Sequence, residues 1–266
     1  DSEKGTEIKW YKNGEEQTQF FGQLTVPSIA TKKGEKWHFT VKPNDGTDFG
    51  VLKISPNVVI GNIPPIVKDI VITPANPKTN NSLECFYTYI DIDGDAEDGT
   101  EIKWYKNGQI QTKLDNSKTV PSSNTKKNDK WYFTVKPKDG IDFGELVTSA
   151  EIVIGNSPPI VSNVVITPSE PYDDDKLTCT YDYYDADGDK ESGTTLRWYK
   201  KDSLQEKYND QKVIPSGVLK KGDKWRVVVR PSDGIDRGKY LSSQIVEVLN
   251  TPPIVTDLII QIASNG

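Results

Sequence analysis

The sequence has no methionine, a single histidine, His38, and two cysteines, Cys85 and Cys179. One histidine leaves almost no room for Ser-His-Asp, Cys-His or histidine-ligated zinc chemistry, so most hydrolase and metalloenzyme classes fall away. No apolar run reaches the ~18 residues that a membrane-spanning helix needs. No signal peptide is visible, and with no methionine either, the chain reads as a processed or excised piece. Cationic side chains are in deficit: 33 Lys and Arg against 39 Asp and Glu give a net charge of −6, which argues against general nucleic-acid binding. Turn formers are plentiful, with 20 Gly and 17 Pro in 266 residues, yet 34% hydrophobic and 9% aromatic content lifts the chain out of the disordered class.

The dominant signal is a repeat with a period of 94 residues. Trp10, Trp104 and Trp198 keep this spacing, as do Trp37, Trp131 and Trp225, and so do the Pro-Pro pairs that begin at Pro64, Pro158 and Pro252. No insertion or deletion separates the copies. Residues 63–156 and 157–250 are complete copies, 1–62 is a copy without its front, and 251–266 opens a further one. Solenoid units of ~20–50 residues cannot bury a core alone, whereas a unit of this length can. The expectation is a string of small domains.

Within a repeat the hydrophobic period is two. Leu83, Cys85, Tyr87 and Tyr89 alternate with Glu84, Phe86 and Thr88, and Trp131, Phe133 and Val135 alternate with Tyr132, Thr134 and Lys136. The pattern places a first strand at Ile66–Thr73, a second at Leu83–Tyr89 and a third at Thr100–Tyr105. Two poorly resolved strands lie between Ile110 and Ser123, a sixth spans Lys130–Lys136 and a seventh spans Ser149–Ile154. Asn107-Gly108 and Asn13-Gly14 are strong hairpin turns. Lys201-Asp202 replaces them in the third copy, so a different turn is expected there. About seven short strands per repeat predict an all-β fold, a two-sheet antiparallel sandwich. His38 falls at an outward strand position shared with Tyr132 and Arg226.

The order of a strand with Cys85, a loop, a strand with Trp104 and a late strand with Trp131 resembles the tandem immunoglobulin-like and PKD-like β-sandwich repeats of archaeal and bacterial cell-surface proteins. The phrases NSPPIVSNVVITP, DADGDKESGTTLRWYK and KKGDKWRVVVRPSDG carry the resemblance, which covers essentially the whole chain. It implies a tandem array of such sandwiches outside the cell, where they serve as spacers, adhesins or enzyme appendages. The chain departs from antibody-type domains at the late strand, where Phe133 and Val227 replace the second cysteine. Cys85 and Cys179 occupy one site in two domains and are expected as buried, reduced thiols.

The remaining chemistry is carboxylate chemistry. The loop after the second strand carries Asp91, Asp93, Asp95 and Glu97, with copies Asp185, Asp187, Asp189 and Glu191; the loop after the sixth carries Asp139 and Asp142, with copies Asp233 and Asp236. In an immunoglobulin-like sandwich these loops share one end, where the linker from the preceding domain also enters. Twelve carboxylates in two sets there are candidate Ca2+ ligands, with Asn62 of the linker able to add an oxygen. The alternative is a set of solvated Asp-Gly turns without metal. The spacing is not that of an EF-hand, and carboxylates that recur in every copy beside a linker are poor candidates for glycosidase catalysis. Asn80 heads an N-glycosylation sequon, Asn80-Asn81-Ser82, that can equally be a polar turn. Tyr105, Tyr132 and Tyr199 offer an aromatic platform for a glycan.

The first copy begins at its third strand, so Ile8, Trp10, Trp37 and Phe39 are expected to face water. The tail holds an unaccompanied first strand with Ile254, Val255, Leu258, Ile259, Ile260 and Ile262. Either both ends are cuts through a longer array, or the tail of one copy adds as a strand to the incomplete domain of the next and builds a fibre. The sequence thus points to a non-enzymatic extracellular structural protein, a rod of calcium-stiffened domains in a surface layer (S-layer), stalk or filament, with self-association head to tail or lateral. An adhesin or carbohydrate-binding array of a secreted protein is the alternative.

Overall fold

The alternating stretches all form strands, and the computed structural model, which describes residues 2–260, is β throughout apart from short 3₁₀ turns such as Thr112–Leu114. Among the described residues no helix is long and apolar enough to cross a membrane. In the second repeat Ile66–Thr73 pairs antiparallel with Leu83–Ile90, which pairs in turn with Thr119–Val120. The other sheet runs Gln109–Ile110, Glu101–Lys106, Lys130–Lys136, Val147–Thr148. The third repeat has the same two sheets, from Ile160–Thr167, Leu177–Tyr184 and Val213–Ile214, and from Ser203–Leu204, Thr195–Lys200, Lys224–Arg230 and Leu241–Ser242. The first has only the second sheet, from Glu7–Lys12, Glu15–Glu16, Lys36–Lys42 and Lys53–Ile54.

Inward side chains of the two sheets make the core. In the second repeat Ile72, Leu83, Cys85 and Val120 meet Ile102, Trp104, Trp131, Phe133 and Val135, all buried. Trp104 lies 5.1 Å from Phe133 and 6.2 Å from Trp131 between ring centroids. The indole N–H groups of Trp131 and Trp225 are buried without an acceptor, but a tryptophan N–H in a core usually takes one. The loop that crosses between the sheets supplies it: Trp104 Nε1 donates to the Ser117 carbonyl at 2.9 Å, Trp198 to Gln211 at 2.8 Å and Trp10 to Gln23 at 2.9 Å. The 3₁₀ turn in that loop drops Leu114, Tyr208 or Phe20 onto the same core. Cys85 and Cys179 are buried and unpaired, and burial pushes both thiols up to about 11, against slight opposition from Lys118 and Lys212. His38 stacks outside on Tyr11 at 4.8 Å.

By contacts the chain divides into two units, Asp1–Ala75 with Ser82–Pro121 and Lys130–Ile152, and Asn76–Asn81 with Ser122–Asp129 and Val153–Gly266. The second unit thus takes two turns from the far end of the second repeat together with the whole third repeat.

Four expectations from the sequence are altered. The seventh strand is not continuous. In the third repeat Leu241–Ser242 and Val246–Glu247 both pair with Lys224–Arg230, and Ser243–Ile245, three residues, oppose two, Arg226 and Val227. The bulge forms because the Ser243 hydroxyl accepts the Val227 N–H at 3.0 Å in place of a backbone carbonyl; Ser149 and Ser55 do the same for Phe133 and Phe39. Lys201-Asp202 makes the same turn as Asn107-Gly108, both residues at positive φ, 45° and 63°, because Tyr199 and Lys200 keep the two-residue register with Leu204 and Ser203. Trp37 does not face water: Phe20 packs on it at 6.1 Å. The tail forms no strand over 251–260. In the complete repeats the first strand is held by pairing with the second, and among the described residues the tail has no strand to pair with.

The strained third-repeat turn gives a direct test. Two non-glycine residues at positive φ cost roughly 1–2 kcal/mol each, and the exposed Arg226–Asp202 contact at 3.4 Å offsets little of that. Lys201→Asn with Asp202→Gly is expected to stabilise the third repeat by about 1–2 kcal/mol, seen as a later thermal transition. An earlier transition would mean that the Arg226 contact outweighs the strain.

Candidate functional site

The two acidic loops of each complete repeat meet at one pole, and the linker from the preceding repeat runs through them. In the first unit the backbone around Gly34 and Glu35 grips Ile60, through Gly34 N to the Ile60 carbonyl and Ile60 N to the Glu35 carbonyl, both at 2.9 Å. The next residues pass to the second repeat. Asn62 Nδ2 donates to Asp139 Oδ2 at 2.7 Å and Asp142 Oδ2 at 2.9 Å, and Ile63 N donates to Asp93 Oδ2 at 2.7 Å. Asp139 Oδ1 folds its own loop by accepting the amides of Ile141 and Asp142, each at 2.7 Å. Asp91 Oδ1 folds the other by accepting the amides of Asp93 at 2.8 Å and Asp95 at 3.1 Å. The amide of Asn62, with the loop amides, holds Asp139 down at about 2, so it stays ionised even in moderately acid solution.

The second unit repeats the arrangement. Asn156 Nδ2 donates to Asp233 at 2.8 Å and Asp236 at 3.1 Å, Ser157 N to Asp187 at 2.6 Å, and Asp185 Oδ1 accepts the amides of Asp187 at 2.8 Å and Asp189 at 3.2 Å. Burial pushes Asp233 up, but the bonds from Asn156 and the loop amides outweigh it and hold the carboxyl below its usual value. Gly155 and Ser157 also bond back to the turn of the second repeat, at the carbonyls of Pro77, 2.7 Å, and Thr79, 3.0 Å.

Carboxylate oxygens of Asp91, Asp93 and Asp95 lie within 4.8 Å of one another, as do those of Asp185, Asp187 and Asp189. Several oxygens at this pole are buried and accept nothing. At the first joint they are Asn62 Oδ1 and Asp91 Oδ2, with the Tyr89 hydroxyl; at the second, Asn156 Oδ1, Asp185 Oδ2 and Asp187 Oδ1, with the Tyr183 hydroxyl. Asp185 is only 8% exposed. A buried carboxylate oxygen without a donor is costly, and a hard cation is the partner that an all-oxygen set satisfies best. Burial pushes the Tyr183 hydroxyl up to about 12 and also raises Tyr89, with the charges of Asp185 and Asp91 adding to it, so both stay protonated.

Not every acidic candidate joins the cluster. Glu97 accepts the Tyr87 hydroxyl and Glu191 the Tyr181 hydroxyl, each at 2.8 Å, and so brace the side of the sandwich instead. Asp139, Asp142, Asp233 and Asp236 spend oxygens on the linker asparagine. Asn80 is exposed in its turn at φ 72°, open to modification. Tyr105 and Tyr132 stack on each other at 4.7 Å and Tyr199 is covered by Arg226 at 4.1 Å, which leaves a sugar fewer free ring faces than the sequence offers. Ile254, Leu258 and Ile260 are exposed, and Ile262 lies outside the described residues.

Each complete repeat is an immunoglobulin-like β-sandwich. The chain is a tandem array of them, an assignment carried by the sheet order and register above. No protein-family model matches the chain and no curated protein matches it. Among solved structures it is similar to the FN1-FN3 domains of chicken CNTN1, at 10% identity over 91% of this chain and 89% of that one, TM-score 0.31. It is also similar to domains A168-A170 from titin, at 10% identity over 92% and 88%, TM-score 0.34. The N-terminal eight Ig domains of Down Syndrome Cell Adhesion Molecule match at 11% identity over 92% of this chain and 33% of that one, TM-score 0.40.

Sequence reasoning missed three parts of this pole. Lys33 and Lys127 reach the acidic loops; their signal was a Thr-Lys-Lys at the repeat spacing, Thr31-Lys32-Lys33 and Thr125-Lys126-Lys127. Tyr89 and its copy Tyr183 turn their hydroxyls into the pole, which alternation alone does not show. Gly144 and Gly238 let the loop touch the linker: a Cβ there would stand 1.8 Å from the Pro65 carbonyl oxygen and 1.9 Å from that of Pro159. Gly144→Ala must therefore push loop and linker apart, and a loss of roughly 2–4 kcal/mol is expected in denaturant unfolding. Gly61→Ala, which meets nothing within 4 Å, should change stability by less than about 0.5 kcal/mol. Equal effects of the two would show that the close approach is not what matters.

Proposed function

We propose that the chain is a non-catalytic structural section of an extracellular protein, an array of immunoglobulin-like domains whose joints are stiffened by calcium, serving in a surface layer, stalk or filament. One observation carries the reading: the same unpartnered oxygens recur at both joints, Asn62 Oδ1 with Asp91 Oδ2, and Asn156 Oδ1 with Asp185 Oδ2. A turn that is merely solvated has no reason to bury a carboxylate oxygen without a donor twice in the same register. Calcium takes six to eight oxygens at ~2.3–2.6 Å in irregular geometry, and water completes a set of aspartates and one amide. Because Asn62 and Asn156 belong to the linkers, an ion there ties each domain to its predecessor.

An ion that binds only the folded joint stabilises it by RT ln(1 + [L]/Kd), about 2.7 kcal/mol at a hundredfold excess over Kd. Scanning calorimetry and solution scattering in calcium are expected to show a higher melting temperature and a stiffer particle than in excess chelator. Identical curves in both would overturn the calcium reading.

Self-association is the second part of the proposal. Trp10, Val26, Trp37, Phe39, Val58 and Ile60 line a groove of about 450 Å³ on the first repeat, on the face that the first two strands cover in the complete repeats. Ile254, Leu258 and Ile260, more than 80% exposed, make an apolar strand sequence that such a face can take. Val26 matches Val120, whose partner is the second strand, so the tail of a second copy would run beside Val26 in the second strand's place. Deleting 251–266, or Leu258→Asp with Ile260→Asp, is expected to abolish assembly seen by light scattering while the second and third repeats stay folded. Unchanged assembly of the truncated chain would rule out strand addition.

A further inference from the structure

Each acidic cluster already touches a lysine of the preceding repeat, and at the second joint a further one, Lys78, lies 3.9 Å from Asp236. Lys33 Nζ is bonded to Asp95 Oδ2, and Lys127 Nζ lies 2.6 Å from Asp189 Oδ2. Both lysines sit on the loop that also grips the linker, one residue before Gly34 and Asn128, whose amides bond to the Ile60 and Ile154 carbonyls at 2.9 and 2.8 Å. The ammonium is therefore tethered to one domain while its counter-charge belongs to the next. Carboxylates of both acidic loops act on its charge. After the hydrogen bond to Asp95, the charges of Asp95, Asp139 and Asp93 hold Lys33 above its usual range, and Asp189, Asp187 and Asp233 do so for Lys127.

We propose that Lys33 and Lys127 are tethered counter-ions that compete with a divalent cation for the aspartates of each joint, so that every joint has two closed states, one held by lysine and one held by the ion. The inference rests on the calcium reading above and adds what sets the affinity. The geometry makes the two cations exclusive. An ion held by the Asp95 carboxylate at ~2.4 Å and an ammonium on the same carboxylate at ~2.8 Å stand at most about 5–7 Å apart. Like charges at that distance inside a half-buried cluster repel strongly. Asp95 and Asp189 must therefore release the lysine, or share it at a cost in affinity. Room for release exists beside Lys33, where Thr31, Lys32, Ile92, Asp93, Gly94 and Asp95 enclose a recess of about 500 Å³ with it. The lysine keeps the aspartates partly neutralised when calcium is scarce, and the joint stays closed instead of being forced open by its own charge.

Calcium titration by calorimetry of the full chain, of Lys33→Met with Lys127→Met, and of Lys32→Met with Lys126→Met tests this. The second pair removes the same formal charge from the same loops without touching Asp95 or Asp189. Lys33→Met with Lys127→Met is expected to bind calcium about tenfold more tightly than the parent, and to melt earlier than the parent in chelator because the aspartates have lost their only ammonium contact among those described at Asp95 and Asp189. The neighbouring pair should move both quantities much less. Asp91→Asn with Asp185→Asn, in the parent background, should remove binding and so assign the heat to these joints. If the parent binds calcium and the Met variants bind with unchanged or weaker affinity, the competition is refuted and the calcium reading stands. If no chain binds calcium, the calcium reading falls and this inference falls with it, and melting in chelator still reports whether the lysines hold the joint. Should Lys33→Met with Lys127→Met prove poorly folded, Lys127→Gln alone gives the same comparison at one joint, with half the sites unchanged as an internal reference.

Discussion

The interaction on which the arrangement depends is the clasp between a linker asparagine and two aspartates of the domain that follows. Asn62 Nδ2 bridges Asp139 and Asp142, and Asn156 Nδ2 bridges Asp233 and Asp236. With the amide nitrogen committed to one acidic loop, the amide oxygen is turned away from it and left without a donor, as is Asp91 Oδ2 or Asp185 Oδ2. Everything argued about cations follows from that division of one side chain between two loops. The loops are in position for it only because Asp139 and Asp91 first fold their own turns through backbone amides, and because Gly144 allows the loop to reach the Pro65 carbonyl.

This makes the second repeat less of a separable bead than a period of 94 suggests. Its far-end turns, Asn76–Asn81 and Ser122–Asp129, belong by contacts to the unit that holds the third repeat. Those turns carry Pro77, Thr79 and Lys127, the residues that grasp Gly155, Ser157 and Asp189. A sandwich of this size has a core that stands alone, with Trp104 and Phe133 fully buried, yet its pole is completed by its neighbour. Stability of the cores and order at the joints are therefore separate quantities, controlled by different residues.

Fold legibility followed periodicity. Alternation gave most of the long strands because each buries mainly one face, and the matched tryptophans gave the repeat frame, but the period breaks where the first strand slips register between Lys68 and Val71 and where Thr134 is buried beside Phe133. What alternation cannot show is where a side chain replaces the backbone in a ladder, so the bulges at Ser149 and Ser243 were hidden within one apparent strand. Turn chemistry misled at Lys201-Asp202, where the register of the flanking strands overrode local preference. At the joints the aspartates were plain from spacing. Which oxygens are satisfied was not, since that depends on the direction of single amides, and Glu97 and Glu191 were drawn off by tyrosines that spacing alone does not place near them.

The serine bulges bear on how such a chain reaches its native state at all. Tandem domains of related sequence and the same strand order meet one another at very high local concentration as they fold, and the standing hazard is exchange of strands between neighbours. Any unprotected sheet margin is a template for it. In all three copies the margin beside the sixth strand is interrupted where Ser55, Ser149 or Ser243 inserts its hydroxyl, and in the first copy Pro56 follows at once. A foreign strand cannot dock along a ladder that lacks a regular run of free carbonyls and amides. A small hydroxyl on an outer strand thereby helps keep each domain's pairing with itself.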